Sequence, residues 1–276
     1  MTRLKIGLAQ IAPKLGAVKQ NLDKHLEIIE NAKNKKVDLL IFPELSLCGY
    51  YAKDMYYEIL PKVKNAIDTI CKNCGNLTII LGIIEENKRI RGVLHNSAVV
   101  IENGKVVGTT QKVYLPDYGM FEDMKYFKPG NKIKVFKTRK CILGIAICED
   151  FWHPEVVHAI ALKGAEIAVL ISASPFMSRE IGEMLNKIRA IENTIFIAYV
   201  NNAGAQEGIV FWGGSEIVSP NGNVLVKANY VEEDFKVCEI DLNDIPRVRA
   251  GMPILRDARK AILEELLKAH GELNEY

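Results

Sequence analysis

The feature that most constrains this chain is a set of short, continuously apolar runs. VDLLIFPE (37–44), LTIILGIIEE (77–86), CILGIAIC (141–148), AEIAVLISAS (165–174) and TIFIAYVN (194–201) show little alternation of apolar and polar residues. Runs of this length fit strands buried on both faces, because a strand with one wet face would alternate with period two. RLKIGLAQI (3–11) reads as a further strand, and strands are also predicted at 208–219, 223–228 and 235–241. Helical periods lie between the runs. Leu22, Leu26, Ile29 and Ala32 recur every three or four residues. Helices are predicted at about 58–74, from Pro154 onward, and at about 179–192. Ile254, Ala258, Ala261, Ile262 and Leu266 line one face of a last helix. Asn103-Gly104 between HNSAVVIE and KVVGTTQK marks a hairpin, so the sheets are not purely parallel. The expected class is α/β, with helices covering one face of each sheet. No linker or repeat interrupts the pattern, so one domain over 1–276 is expected, with a C-terminal tail over about 242–276.

Several function classes are disfavoured at once. With 36 basic and 34 acidic residues the net charge is +2, which predicts neither nucleic acid nor an anionic membrane as partner. No stretch of about 18 apolar residues is present, so no membrane span is expected. The N-terminus enters a strand pattern without the apolar region of a signal peptide, and the expected compartment is the cytoplasm. Cys71 and Cys74 form a single C-x-x-C without the second pair that a zinc site needs, and read as helix-end thiols. His153 and His158 stand five residues apart, about 140° around a helix, so they face apart and predict no metal site. The chain has no G-x-G-x-x-G after its first strand, no G-x-x-x-x-G-K-[ST] and no G-x-S-x-G.

In open α/β sheets, ligands gather at the carboxyl ends of strands. That rule selects Glu44, Lys112, Cys148, the pair Ser172 and Ser174, and the pair Asn201 and Asn202. A base, a cation and a thiol thus fall at strand ends. Glu149 and Asp150 directly after Cys148 oppose thiolate formation, so a reactive Cys148 needs an acceptor and a cation from elsewhere. Glu44 can accept the thiol proton, Cys148 can attack an electrophilic carbon, and Lys112 can face the developing oxyanion.

FPELSLCGY, QKVYLPDYGMFEDMKYFKPG and LGIAICEDFWHPE resemble, in order and spacing, the three signature blocks of the carbon–nitrogen hydrolase (nitrilase-like) superfamily. The likeness extends over about residues 3–241. It implies a four-layer αββα sandwich of two mixed sheets. It also implies a catalytic Glu44, Lys112 and Cys148 acting through a thioester, with no metal and no organic cofactor, and assembly as a homodimer or higher homo-oligomer. CEDFWHPE, LPDYGMF and SASPF are most similar to the glutamine-hydrolysing domain of glutamine-dependent NAD synthetases. Carried over by position, Tyr118, Glu149, Trp152 and Ser174 would line the amide pocket. The synthetase half is missing from the 276 residues, so the resemblance implies a free-standing amidase on a small carboxamide, or a glutaminase subunit serving a synthetase partner. A nitrilase on the same three residues is the alternative. One departure stands out. Many relatives carry a fourth acid, a glutamate, four residues before the second aromatic of a Tyr-Phe pair. With Phe127 as that aromatic the position holds Asp123, and Glu122 lies one residue earlier.

Overall fold

The apolar runs become strands, and their packing follows from their lack of a polar face. The structure, a computed structural model, describes residues 2–273. The first half supplies β1 (Arg3–Gln10), β2 (Leu39–Ile41), β3 (Thr78–Glu86), β4 (Leu94–Glu102) and β5 (Lys105–Gln111). The second supplies β6 (Val135–Lys137), β7 (Ile142–Ile147), β8 (Ile167–Ser172) and β9 (Phe196–Asn201). There follow a separate hairpin, β10 (Ala203–Gln206) and β11 (Ile209–Trp212), then β12 (Glu216–Val218) and β13 (Val224–Lys227). The last strand, β14 (Asp234–Asp241), returns to pair antiparallel with β1. The two large sheets run β14-β1-β2-β3-β4-β5 and β13-β12-β9-β8-β7-β6. In each, three successive strands are parallel and the flanking ones antiparallel.

Three apolar layers account for the missing alternation. Between the sheets, Ile6, Leu8, Ile41, Ile80 and Val100 pack with Ile145, Ile147, Val169, Ile171 and Ala198. Leu40, Ile79 and Leu81 face the other way, against α1 (Val18–Asn34) and α2 (Tyr56–Asn73), where they meet Ile28, Ile29, Val63 and Ile70. After the short helix α3 (Asp123–Tyr126) come α4 (Pro154–Leu162) and α5 (Arg179–Asn193), which cover Ala146, Leu170 and Tyr199 with Val157, Ile160 and Ala190. Odd and even positions of a central strand both reach a core, so both must be apolar. Each buried aliphatic contributes about 1.5–3 kcal/mol. The result is the αββα sandwich that the sequence implied. Gly144 lets α4 press onto β7, since a Cβ there would lie 2.4 Å from Ile160 Cγ2.

Some boundaries differ from expectation. The run at 37–44 yields only the three residues of β2, because the chain turns away at Phe42 and Leu45 adopts φ +48°. The run at 208–219 divides at Gly213 and Gly214, with φ +63° and +56°, so β11 and β12 enter different sheets. The short strands β6 and β10 and the helix α6 (Asp244–Gly251) lie outside the predicted elements. Ile254 and Ala258 precede the last helix, α7 (Lys260–Leu273), whose side chains from Lys260 to Glu272 are exposed. The Asn103-Gly104 hairpin forms as expected, with φ +53° and +73° as a type I′ turn demands. Among the described residues no helix is long and apolar enough to cross a membrane.

Candidate active site

The turn after β2 carries Glu44 into the protein. Phe42 still bonds Ile80 O through its N–H at 2.8 Å, and then the chain folds back over β3. Gly82 makes this possible, because a Cβ there would fall 2.2 Å from Leu45 N and 2.6 Å from Glu44 Cα. Asn202, just past β9, donates to Glu44 O at 3.0 Å and fixes the turn from the other sheet. On the helix side, His25 of α1 bonds Ser46 Oγ through Nε2 at 3.0 Å and stacks on Phe42.

Glu44 and Lys112 are fully buried. Lys112 follows β5, held by its N–H on Asn96 O at 2.8 Å and by Gly130 N–H on its own carbonyl at 2.7 Å. Its ammonium donates to Glu44 Oε1 at 2.9 Å and to Asp123 Oδ2 at 2.7 Å. The remaining carboxylate capacity is also used. Asn96 Nδ2 donates to Glu44 Oε1 at 2.7 Å, Ala173 N–H to Glu44 Oε2 at 2.8 Å, and Tyr50 hydroxyl to Asp123 Oδ1. Charges taken out of water persist only with this degree of pairing and hydrogen bonding. Burial raises the pKa of Glu44, and Asp123 adds to this, while Lys112 opposes it. Burial opposes the charge on Lys112, but Asp123, Glu44 and Cys148 outweigh it and hold the pKa well above the usual lysine value. Lys112 is therefore a fixed cation, and Glu44 is the group whose environment favours holding a proton.

Cys148 sits where β7 ends and a five-residue 3₁₀ turn, Cys148–Trp152, begins. Its φ is +49°, a left-handed conformation that costs a side-chain-bearing residue about 1–2 kcal/mol. Its Sγ lies 3.8 Å from Ser174 Oγ. Ser174 is set by Asn201, whose Oδ1 accepts the Ser174 N–H at 2.8 Å. Cys148 is 4% exposed, whereas Glu44 and Lys112 are fully buried. Burial pushes the thiol pKa far up, Glu44 adds to the rise, and Lys112 opposes it. Burial and Glu44 thus favour the protonated sulfur, and a nucleophilic role would need an acceptor for its proton. The acids beside it point elsewhere. Glu149 Oε2 accepts from Tyr118 hydroxyl at 2.9 Å, and Asp150 accepts main-chain amides.

Of the candidate pocket residues, Tyr118 is exposed, Glu149 half-buried and Ser174 buried, while Trp152 tilts against Phe151 beside the α4–α5 core. Of the two candidate acids, Asp123 meets Lys112, whereas Glu122 pairs with Lys53 at 3.1 Å on the surface. His153 stacks on Tyr114 and His158 bonds Asn193 Oδ1, so the two histidines do face apart. All six cysteines are free, and among the described residues no group of three or more His, Cys, Asp or Glu is arranged to hold a metal ion. Sequence reasoning missed Asn96, Tyr50 and Asp150. Tyr50 lies six residues after Glu44 inside a quoted block, but nothing in its spacing tells that its hydroxyl crosses to Asp123.

Comparison with known proteins finds relatives of the whole fold. A family model described as carbon-nitrogen hydrolase matches residues 5–250. Glutamine-dependent NAD(+) synthetase of Thermotoga maritima is 33% identical over 259 residues, covering 90% of this chain and 44% of that protein. The chain therefore spans less than half the length of that relative. The crystal structure of a carbon-nitrogen hydrolase from Helicobacter pylori G27 superposes with a TM-score of 0.88 at 29% identity, covering 97% of this chain and 99% of the other. A variant of the amidase from Nesterenkonia sp. AN1 superposes with a TM-score of 0.82 at 26% identity over 95% of both chains. That structure shows covalent addition of the acetamide moiety of fluoroacetamide at the active-site cysteine of the amidase.

Proposed function

Because the chain belongs to the carbon–nitrogen hydrolase family, we propose that it hydrolyses the carbon–nitrogen bond of a small carboxamide through Cys148, with a glutamine-like ω-amide favoured. Cys148 Sγ attacks the carbonyl carbon as its proton passes to Glu44. The C–S bond forms and the carbonyl electrons move to oxygen, where the Lys112 ammonium stabilises the charge. The tetrahedral species collapses, the C–N bond breaks, and nitrogen leaves as ammonia with the proton that Glu44 returns. A thioester remains. Water then loses a proton to Glu44 and adds to the same carbon. Collapse releases the carboxylic acid and the sulfur, which recovers its proton.

The observation that carries this reading is a cation bonded to two buried carboxylates, of which Glu44 also accepts the Ala173 N–H, while the next residue, Ser174, has its Oγ 3.8 Å from the Sγ of a cysteine held at a strand end with left-handed φ. Asp123 is assigned the role of keeping Lys112 charged and aimed. Tyr118, Glu149, Trp152 and Ser174 are assigned to the pocket wall, the glutamine dependence of the Thermotoga relative being the support for a glutamine-like substrate. The same likeness favours a second reading, in which the ammonia released is passed to a separate synthetase. Assay of ammonia release from amides and nitriles, with acid product identified, tests the proposal. Cys148→Ala should lose turnover while remaining folded, and normal turnover in that variant would end it. Turnover at full rate without any partner would remove the second reading. The exposed apolar residues Ile181, Met184 and Ile188 on α5, and Ile262 and Leu266 on α7, support self-association, which sedimentation measures.

A further inference from the structure

The turn that bears Cys148 and the segment that bears Lys112 come from different sheets, and one buried carboxylate is bonded to both. Asp150 is 2% exposed. Its Oδ1 accepts the N–H of Val113 at 2.9 Å and of Tyr114 at 2.8 Å, the two residues that follow Lys112. Its Oδ2 accepts the N–H of Ile147 at 3.0 Å, the residue that precedes Cys148. We propose that Asp150 is a positioning residue, which locks the Cys148 turn to the Lys112 segment and so fixes the distance between sulfur and ammonium.

The chemistry of the group fits that task. A carboxylate accepts at both oxygens, so a single side chain can serve two chain segments at once. Burial raises the Asp150 pKa to about 6, while the amides of Tyr114, Ile147 and Val113 and the charge of Lys112 act the other way. A core residue without charge would avoid that desolvation, so the carboxylate is justified by the bonds it makes. The C-terminal end of the same turn is held from α5. Arg189 donates through Nε to Phe151 O at 2.9 Å and through Nη2 to Trp152 O at 3.0 Å. The stack of Tyr114 on His153, with ring centroids 3.5 Å apart, is a second contact between the two segments. It joins side chains outside the site, whereas Asp150 joins the two backbones.

The inference rests on the reading of Cys148 as nucleophile, and its test separates the two. Asp150→Asn keeps the shape but has one acceptor oxygen, so its NH₂ must face either the Ile147 amide or the Val113 and Tyr114 amides, donor against donor. Two rates are measured: amide turnover, and alkylation of Cys148 by iodoacetamide located by peptide mass spectrometry, which needs no substrate. The expected result is a folded variant with kcat lower by about 100-fold, KM within about threefold of wild type, and alkylation slowed by about tenfold. Ile79→Val, in the outer core of the first sheet, serves as a variant of reduced stability with both rates unchanged. Hydrogen exchange on the wild-type protein should show the amides of Ile147, Val113 and Tyr114 protected to the level of the sheet core. Wild-type rates in Asp150→Asn, or free exchange at those three amides, would overturn the inference. Collapse of the variant would assign Asp150 to folding and overturn it as well. A wild-type protein that alkylates readily at Cys148 but hydrolyses no amide or nitrile would overturn the proposed function instead, leaving the alkylation comparison intact.

Discussion

Lys112→Met removes a buried cation and keeps the volume. In the wild-type protein one ammonium is shared between Glu44 Oε1 at 2.9 Å and Asp123 Oδ2 at 2.7 Å. Without it the two carboxylates face each other across about 5 Å, where like charges at an effective dielectric near 20 repel by about 3 kcal/mol. Breaking a buried pair by removing one partner costs about 3–5 kcal/mol, which agrees with that figure. The protein can relieve the strain by binding a proton, as paired carboxylates do. A carboxylate whose folded pKa lies above its unfolded value holds its proton more tightly when folded. Its contribution is fully present below the unfolded pKa and is lost as pH rises toward the folded one. Burial and Asp123 already raise the Glu44 pKa in the presence of Lys112, and losing the cation raises it further. The variant should therefore be destabilised by about 3–5 kcal/mol at pH 8 and recover as pH falls, by at most about 2.7 kcal/mol for one proton over two pH units. Urea unfolding of both proteins at pH 6 and pH 8 measures this. Turnover should fall by at least about 100-fold, the usual cost of losing one oxyanion donor. A variant within about 1 kcal/mol of wild type at both pH values would refute the picture of a cation between two charged carboxylates.

Other substitutions probe separate parts of the account. Gly82→Ala puts a Cβ 2.2 Å from Leu45 N, so the Glu44 turn must move; stability should fall by about 1–3 kcal/mol and kcat with it, checked by unfolding and ammonia release. Asn103→Ala removes the side-chain amide that helps asparagine tolerate a left-handed backbone, at φ +53° in the β4–β5 hairpin. It should cost about 1 kcal/mol by unfolding and leave kcat unchanged. Glu44→Gln should fold and lose turnover by about 100- to 10,000-fold in steady-state assay, since an amide cannot take the thiol proton.

The parts of the fold that could be read in advance are those where local pattern and global role coincide. Ile145, Ala146 and Ile147 are apolar because successive side chains enter different cores, so the run itself announces a strand buried on both faces. Asn103-Gly104 announces its turn because few other pairs tolerate two positive φ values. The ends of VDLLIFPE and of 208–219 were less legible. Where a strand stops depends on which partner it leaves, and Gly213-Gly214 is as compatible with a bulge as with the change of sheet that it makes. The same limit applied at the site. Glu44, Lys112 and Cys148 could be singled out as strand-end residues. That Asp123 and not Glu122 meets Lys112 turns on where Lys112 and Tyr50 arrive from distant chain positions. Asp150 looked like a charge that would hinder the thiol, and only its main-chain partners explain its place.

The most direct measurement of the central claim is the mass of protein quenched during turnover of a slowly hydrolysed amide. The account predicts a species heavier by the acyl group alone, with the added mass on the peptide that contains Cys148, and no such species in Cys148→Ala. An amide hydrolysed at the full rate by the Cys148→Ala protein, or an acyl group found on another residue, would contradict it.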